Sequence, residues 1–213
     1  RFYEDLNDAG LLMSQPGRRL FLDWSPLSRQ EPNAVYNLRY LLALQQAAQL
    51  ADKRELITDE ARMWRERATQ LQSVIQAQFW RNGYWYDDLA QTTFSQQTAA
   101  LALLTETTPP SAINDQLDAL TARSLDLGDD PAPDKMVLAS PFMHHYVFEA
   151  LRYHQRYSGV VEIIRRRWGR WVSMGYPTTW ENWNVDFPDG SQCHAFSAHP
   201  LYHLAEIEKV VEL

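Results

Sequence analysis

Cysteine is almost missing. A single residue, Cys193, in 213 leaves no internal disulfide framework and no multi-cysteine metal site. Excess positive charge is missing as well: 20 Lys and Arg stand against 27 Asp and Glu, a net charge of −7. That balance argues against a nucleic-acid partner and against attachment to an anionic membrane surface. No apolar run approaches the ~18–20 residues of a membrane span. The opening Arg1-Phe2-Tyr3-Glu4-Asp5 is too polar for a secretory leader. A cytoplasmic location is therefore expected, and a periplasmic or secreted one would need a leader further upstream. Short repeats and low-complexity segments are also lacking. What the chain does have is aromatic side chains: 8 Trp, 10 Tyr and 8 Phe, 12% of the residues. Aromatics supply large buried area, and they are also the surfaces on which sugar rings stack, so composition alone does not separate the two uses. With 45% apolar residues, the chain is expected to form one domain over residues 1–213 with a sizeable core.

The periodicity is helical almost throughout. Arg1 to Ala9 reads as the end of a helix with Gly10 at its C′ position. Pro32 and Asn33 open a long helix to about Asp52, with Val35, Leu38, Leu42, Leu44 and Ala48 on a 3.6-residue period. Thr58 is the cap expected for a helix ending at Phe79, with Ala61, Trp64, Ala68, Leu71, Ile75 and Phe79 as its apolar stripe. Asn82-Gly83 lies between Phe79-Trp80 and Tyr84-Trp85-Tyr86, which predicts a short β-hairpin near residues 79–87. Further helices are expected over Ser95–Leu104, Ser111–Leu125, Ser140 to about Tyr157, Val160–Met174 and Pro200 to the end, with Gly159 as a breaker. The class is all-α. The stretch from Tyr176 to His199 has no helical pattern, and loops longer than ~12–15 residues in a compact domain are usually functional.

That loop holds most of the chemistry. Thr178-Thr179-Trp180-Glu181-Asn182-Trp183 sets one carboxylate between two indoles. Apolar neighbours desolvate a carboxylate and raise its pKa toward the range of a general base. The competing reading is a surface glutamate or an arginine partner. His194, His199 and His203 follow, but Pro200 is expected to push His199 out of the helix, so that His199 and His203 would not share a face. No metal and no cofactor are expected. Cys193 beside His194 is a weak case for a thiol nucleophile, because adjacent loop residues seldom point at each other. Asp23-Trp24 and Trp85-Tyr86-Asp87-Asp88 each offer either a sugar platform with a hydroxyl acceptor, or core aromatics with turn-capping carboxylates. His144-His145 and Arg165-Arg166-Arg167 read as structural or solvated helix residues.

Several segments occur in an order that resembles a known family. They are Phe21-Leu22-Asp23-Trp24; Phe79-Trp80 with Gly83-Tyr84-Trp85-Tyr86-Asp87; Gln97-Thr98-Ala99-Ala100-Leu101-Ala102-Leu103; Thr178-Thr179-Trp180-Glu181-Asn182-Trp183; and Ser191-Gln192-Cys193-His194-Ala195-Phe196-Ser197-Ala198-His199-Pro200. Together they look like the catalytic domain of α-L-rhamnosidases, the six-hairpin glycosidases. The resemblance implies an (α/α)6 toroid of twelve helices and cofactor-free, inverting hydrolysis of terminal α-L-rhamnose. It makes Glu181 the general base, and it puts Asp23, Trp24, Trp85, Tyr86, Trp180, Trp183 and His194 around a rhamnose pocket. One element departs from the family. Its general acid lies in an Asp-x-Pro-x-Arg-x-Glu stretch upstream of Phe-x-Asp-Trp, and nothing here matches it. Glu4, Asp5 and Asp8 lack that context, and Asp23 and Asp87 are the remaining candidates. The expectation is therefore an incomplete toroid, inactive alone, partnered by a rhamnose-containing glycoside and by the N-terminal part of the same enzyme or a second copy of the chain. The alternatives are a non-catalytic carbohydrate-binding or scaffold fragment, and an inverting toroid glycosidase with another sugar.

Overall fold

The computed structural model describes residues 5–15, 17, 20–54, 59–128, 132, 134–184 and 190–211. Among them are seven α-helices: α1 (Ala34–Lys53), α2 (Asp59–Phe79), α3 (Gln96–Leu104), α4 (Ile113–Leu125), α5 (His144–Tyr153), α6 (Tyr157–Ser173) and α7 (Pro200–Glu208). One antiparallel pair, β1 (Trp80–Arg81) and β2 (Tyr84–Trp85), links α2 to the segment before α3. Among the described residues no helix is long and apolar enough to cross a membrane.

The helices pack as successive hairpins, α1 on α2 and α5 on α6, with α3 between α1 and α5 and α4 against α6. α3 is central because it has no polar face to give to water: Gln96 to Leu103 are all buried. Of its two glutamines, Gln97 has no hydrogen-bond partner for either side-chain polar atom, whereas Gln96 is held internally. Gln96 Nε2 donates to Leu120 O (2.9 Å) and Ser124 Oγ (2.8 Å), and its Oε1 accepts from Ala139 N (2.9 Å). The caps fit the residue types. Asn33 accepts from Tyr36 N at 3.2 Å, and Ser95 accepts from Thr98 N at 3.2 Å. In the hairpin, Asn82 and Gly83 both have positive φ (51° and 85°), which the tight primed turn requires.

Four expectations change. Described residues 5–10 are not the end of a helix. Asn7 closes a tight turn there, with Gly10 N on Asn7 O (2.8 Å), and Leu6 bridges Leu12. Gly10 does have φ +82°, but in that turn rather than after a helix. α5 starts at His144, a turn later than Ser140. Its end comes at His154–Arg156, with Gln155 at φ +59°, and not at Gly159. Gly159 lies inside α6, where a Cβ would meet Thr121 Oγ1 of α4 at an ordinary contact distance of 3.5 Å. α7 stops at Glu208. The Thr58 cap and Glu4 lie outside the described residues.

Candidate active site

Two distant segments meet at Glu181. The first follows Leu12, which α1 anchors through Asn37: Oδ1 accepts from Leu12 N (2.7 Å) and Nδ2 donates to Leu12 O (3.1 Å). The chain then reaches Asp23, whose φ is +67°, a left-handed conformation that Asp tolerates better than most residues. Two contacts hold it. Arg29 Nη2 donates to Asp23 O at 2.8 Å, and Ser140 Oγ donates to Asp23 Oδ2. The next residue, Trp24, is thereby aimed across the domain end.

The second segment is the aromatic loop, folded on itself in ladder fashion. Glu181 N donates to Ser191 O (2.9 Å) and His194 N to Thr179 O (2.8 Å). This pairing presents the Glu181 carboxylate. Its Oε1 accepts from Trp24 Nε1 at 2.7 Å across 157 residues of sequence, and its Oε2 accepts from Ser191 N at 2.8 Å. His194 Nδ1 stands 4.0 Å from Oε2. Beside this group is a cleft of about 150 Å³, lined by Trp24, Ser25, Pro26, Leu138, Ser140, Pro141, Asn182, Trp183 and Asn184. Asn182 Nδ2 is buried there without a hydrogen-bond partner.

The electrostatics differ from the sequence expectation. Burial does push the Glu181 pKa up, but the Ser191 N–H, the Trp24 indole N–H and the nearby His194 outweigh it, so the net shift is downward. The flanking indoles do not enclose the carboxylate. Trp180 packs on Tyr176 (4.6 Å between centroids). Trp183 donates to Ala139 O (2.8 Å), stacks on Trp171 and lies under the Arg167 guanidinium, with one edge left to the cleft. Asp23 shifts the other way: burial raises its pKa, and the neighbouring Glu181 charge adds to the rise against opposing contacts from Ser140, the Trp24 backbone and Arg39.

The expected pocket residues divide. Trp24, Asp23, Trp183 and His194 gather at Glu181, whereas Trp85 and Tyr86 do not. Trp85 is 1% exposed, with its indole N–H on Thr108 Oγ1 (3.1 Å), so it is a core residue out of reach of a substrate. Tyr86 lies in a separate aromatic cluster with Tyr84 and Phe94. Asp87 is fully buried and accepts from the Thr93, Ser95 and Thr98 hydroxyls. Sequence reasoning missed Ser140 and Asn182 as cleft residues. Ser140 looks like an ordinary helix cap, and only its contact with Asp23, 117 positions away, gives it a second role.

The histidines also depart from expectation. His199 has helical dihedrals (φ −60°, ψ −17°) as the N-cap of α7, because the 3-10 turn Ala195–Ala198 runs straight into Pro200. His203 N therefore reaches His199 O at 3.2 Å, and the two rings share a face, 5.2 Å apart. His145 of α5 completes a group of three. Burial lowers all three pKa values, His199 to about 4 and His203 to about 2. His144 is structural, held between Ser124 Oγ and Ser140 O.

Residues 7–207 match the family described as the bacterial alpha-L-rhamnosidase 6 hairpin glycosidase domain. The chain belongs to this family. Among solved structures it is similar to a rhamnosidase from Klebsiella oxytoca with rhamnose bound, at TM-score 0.75 and 22% identity, over 97% of this chain and 40% of that one. The chain thus spans well under half the length of that relative. No curated protein matches its sequence. The helical hairpins and the small sheet fit a six-hairpin glycosidase domain.

Proposed function

We propose that this domain carries the base side of an inverting α-L-rhamnosidase, with Glu181 as general base. The observation behind this is the convergence of Trp24, Ser191 N–H and His194 on one carboxylate beside an open cleft. In an inverting enzyme the base takes a proton from water as the water oxygen attacks the anomeric carbon. A second carboxyl group, ~6.5–9.5 Å from the first, protonates the leaving oxygen. A Glu181 held ionised by two N–H donors suits the first role. The exposed part of the Trp24 ring offers a platform for a sugar face. Family membership and the fold of a rhamnose-bound relative support rhamnose as the sugar.

Titrating the 213-residue chain with rhamnose, followed by tryptophan fluorescence, tests the assignment. Saturable quenching by rhamnose, weaker or absent with glucose and lost in Trp24→Ala, is the expected result. A response equal for both sugars would favour a toroid glycosidase with another substrate. No response, with the fold intact by circular dichroism, would reject the pocket.

A further inference from the structure

We propose that His145, His199 and His203 bind one divalent transition-metal ion of the zinc class, which clamps α5 to α7. One ring nitrogen from each residue lies within 4.8 Å of the others. His145 Nδ1 and His203 Nε2 are 3.1 Å apart, close to the ~3.3 Å edge of a tetrahedron built on Zn–N bonds of ~2.0–2.1 Å. His199 supplies the observation that points to a ligand. Its Nε2 is 2.8 Å from Pro141 O, and a carbonyl only accepts, so Nε2 carries the proton. Nδ1 then holds a lone pair, and it is buried with no hydrogen-bond partner. A metal ion completes it.

The surroundings fit this role. His203 Nδ1 is 3.5 Å from Glu149 Oε1, the carboxylate placement that orients a ligating imidazole from behind. Arg152 also faces the group, 3.3 Å from His203 Nδ1. Its charge is met by Glu149 (2.8 Å) and Glu206 (3.6 Å), so an ion would not confront an uncompensated cation. The competing arrangement is a plain His203–His145 hydrogen bond with Arg152 donating to His203 Nδ1. That arrangement leaves the buried His199 Nδ1 unpaired, whereas an ion held by one nitrogen of each ring would engage it. Three imidazoles suit zinc, cobalt or nickel, and not calcium or magnesium. The ion would be a structural staple, separated from Glu181 by Pro141, which lines the cleft on one side and holds His199 through its carbonyl on the other.

The test is to strip the chain with a chelator and titrate it with ZnCl2 by calorimetry and with Co²⁺ by visible absorption. One zinc per chain, a tetrahedral cobalt spectrum, a zinc-dependent rise in Tm and no response to calcium are expected. His145→Gln and His203→Gln should each weaken zinc binding beyond the ~10–100-fold that loss of an outer partner costs. Glu149→Gln should fall within that range, and His154→Ala should change nothing. If His203→Gln does not fold, the half-buried His145→Gln decides alone. A folded wild-type chain that takes up no stoichiometric zinc, or zinc binding undiminished in His145→Gln, would overturn the site and leave the hydrogen-bonded pair.

Discussion

Glu181 is a weaker base than its two flanking tryptophans suggest, and the reason lies in hydrogen bonds rather than in burial. Its two oxygens accept from Ser191 N and Trp24 Nε1, and donors to the charged form lower a carboxylate pKa. The carboxylate therefore stays ionised to pH values below its ordinary 4.5. Replacing Trp24 by Phe keeps most of the ring and deletes the indole donor. The Glu181 pKa should then move up, read directly by carboxyl ¹³C NMR titration of the folded chain. An unchanged midpoint would mean that the Trp24 contact does not hold the anion. The pattern Trp-Glu-Asn-Trp was enough to single out the residue. It could not say where the indoles point: Trp180 turns back to Tyr176, four residues earlier, and Trp183 to Ala139 on a distant segment.

α3 shows what an element needs when it has no polar face. Its N-cap, Ser95, shares the buried Asp87 with Thr93 and Thr98. Burial drives the Asp87 pKa from 3.8 up to about 6, above the opposing effect of the three hydroxyls. A carboxyl group with a raised folded pKa binds its proton more tightly in the folded state. Its contribution is therefore present below about pH 4 and is lost as pH rises through about 6. At 1.36 kcal/mol per unit the loss is of order 3 kcal/mol. Asp87→Asn should remove that slope. Urea unfolding at about pH 4 and about pH 6 should show wild type losing more stability than the variant across the interval, and parallel losses would argue against a titrating Asp87. Element existence was legible from sequence, since the 3.6-residue stripes and the Asn33 and Ser95 caps are local properties. The glycines were less so. Gly10 and Gly159 look alike as helix breakers, but one occupies a positive-φ turn and the other an interhelix contact.

For the molecule as a whole, the inverting reading proposed above predicts that residues 1–213 hydrolyse rhamnosides only weakly unaided. Inversion needs an acid opposite the base. Among the described residues, Asp23 is the carboxylate beside Glu181, and it is buried and held by Ser140, as a group that orients Trp24 would be. Assayed on a nitrophenyl α-L-rhamnoside, the purified chain should run at least ~10²–10⁴-fold below an enzyme with both catalysts. Robust turnover abolished by Asp23→Asn would instead make Asp23 the acid.

The helical class, the hairpin at Asn82-Gly83 and the base candidate were legible in the residue pattern because each rests on residue types at short spacing, and the family showed in motifs that follow one another from Phe21 to Pro200. Which aromatics lie beside Glu181 was set by the folding of the chain. Trp85 and Trp24 are equally apolar, yet one fills the core and the other bonds Glu181 from 157 residues away. The same holds for the three histidines, whose meeting depends on α5 packing against α7. Local propensity acts over a few residues, whereas a site is made wherever chain closure brings remote side chains within reach.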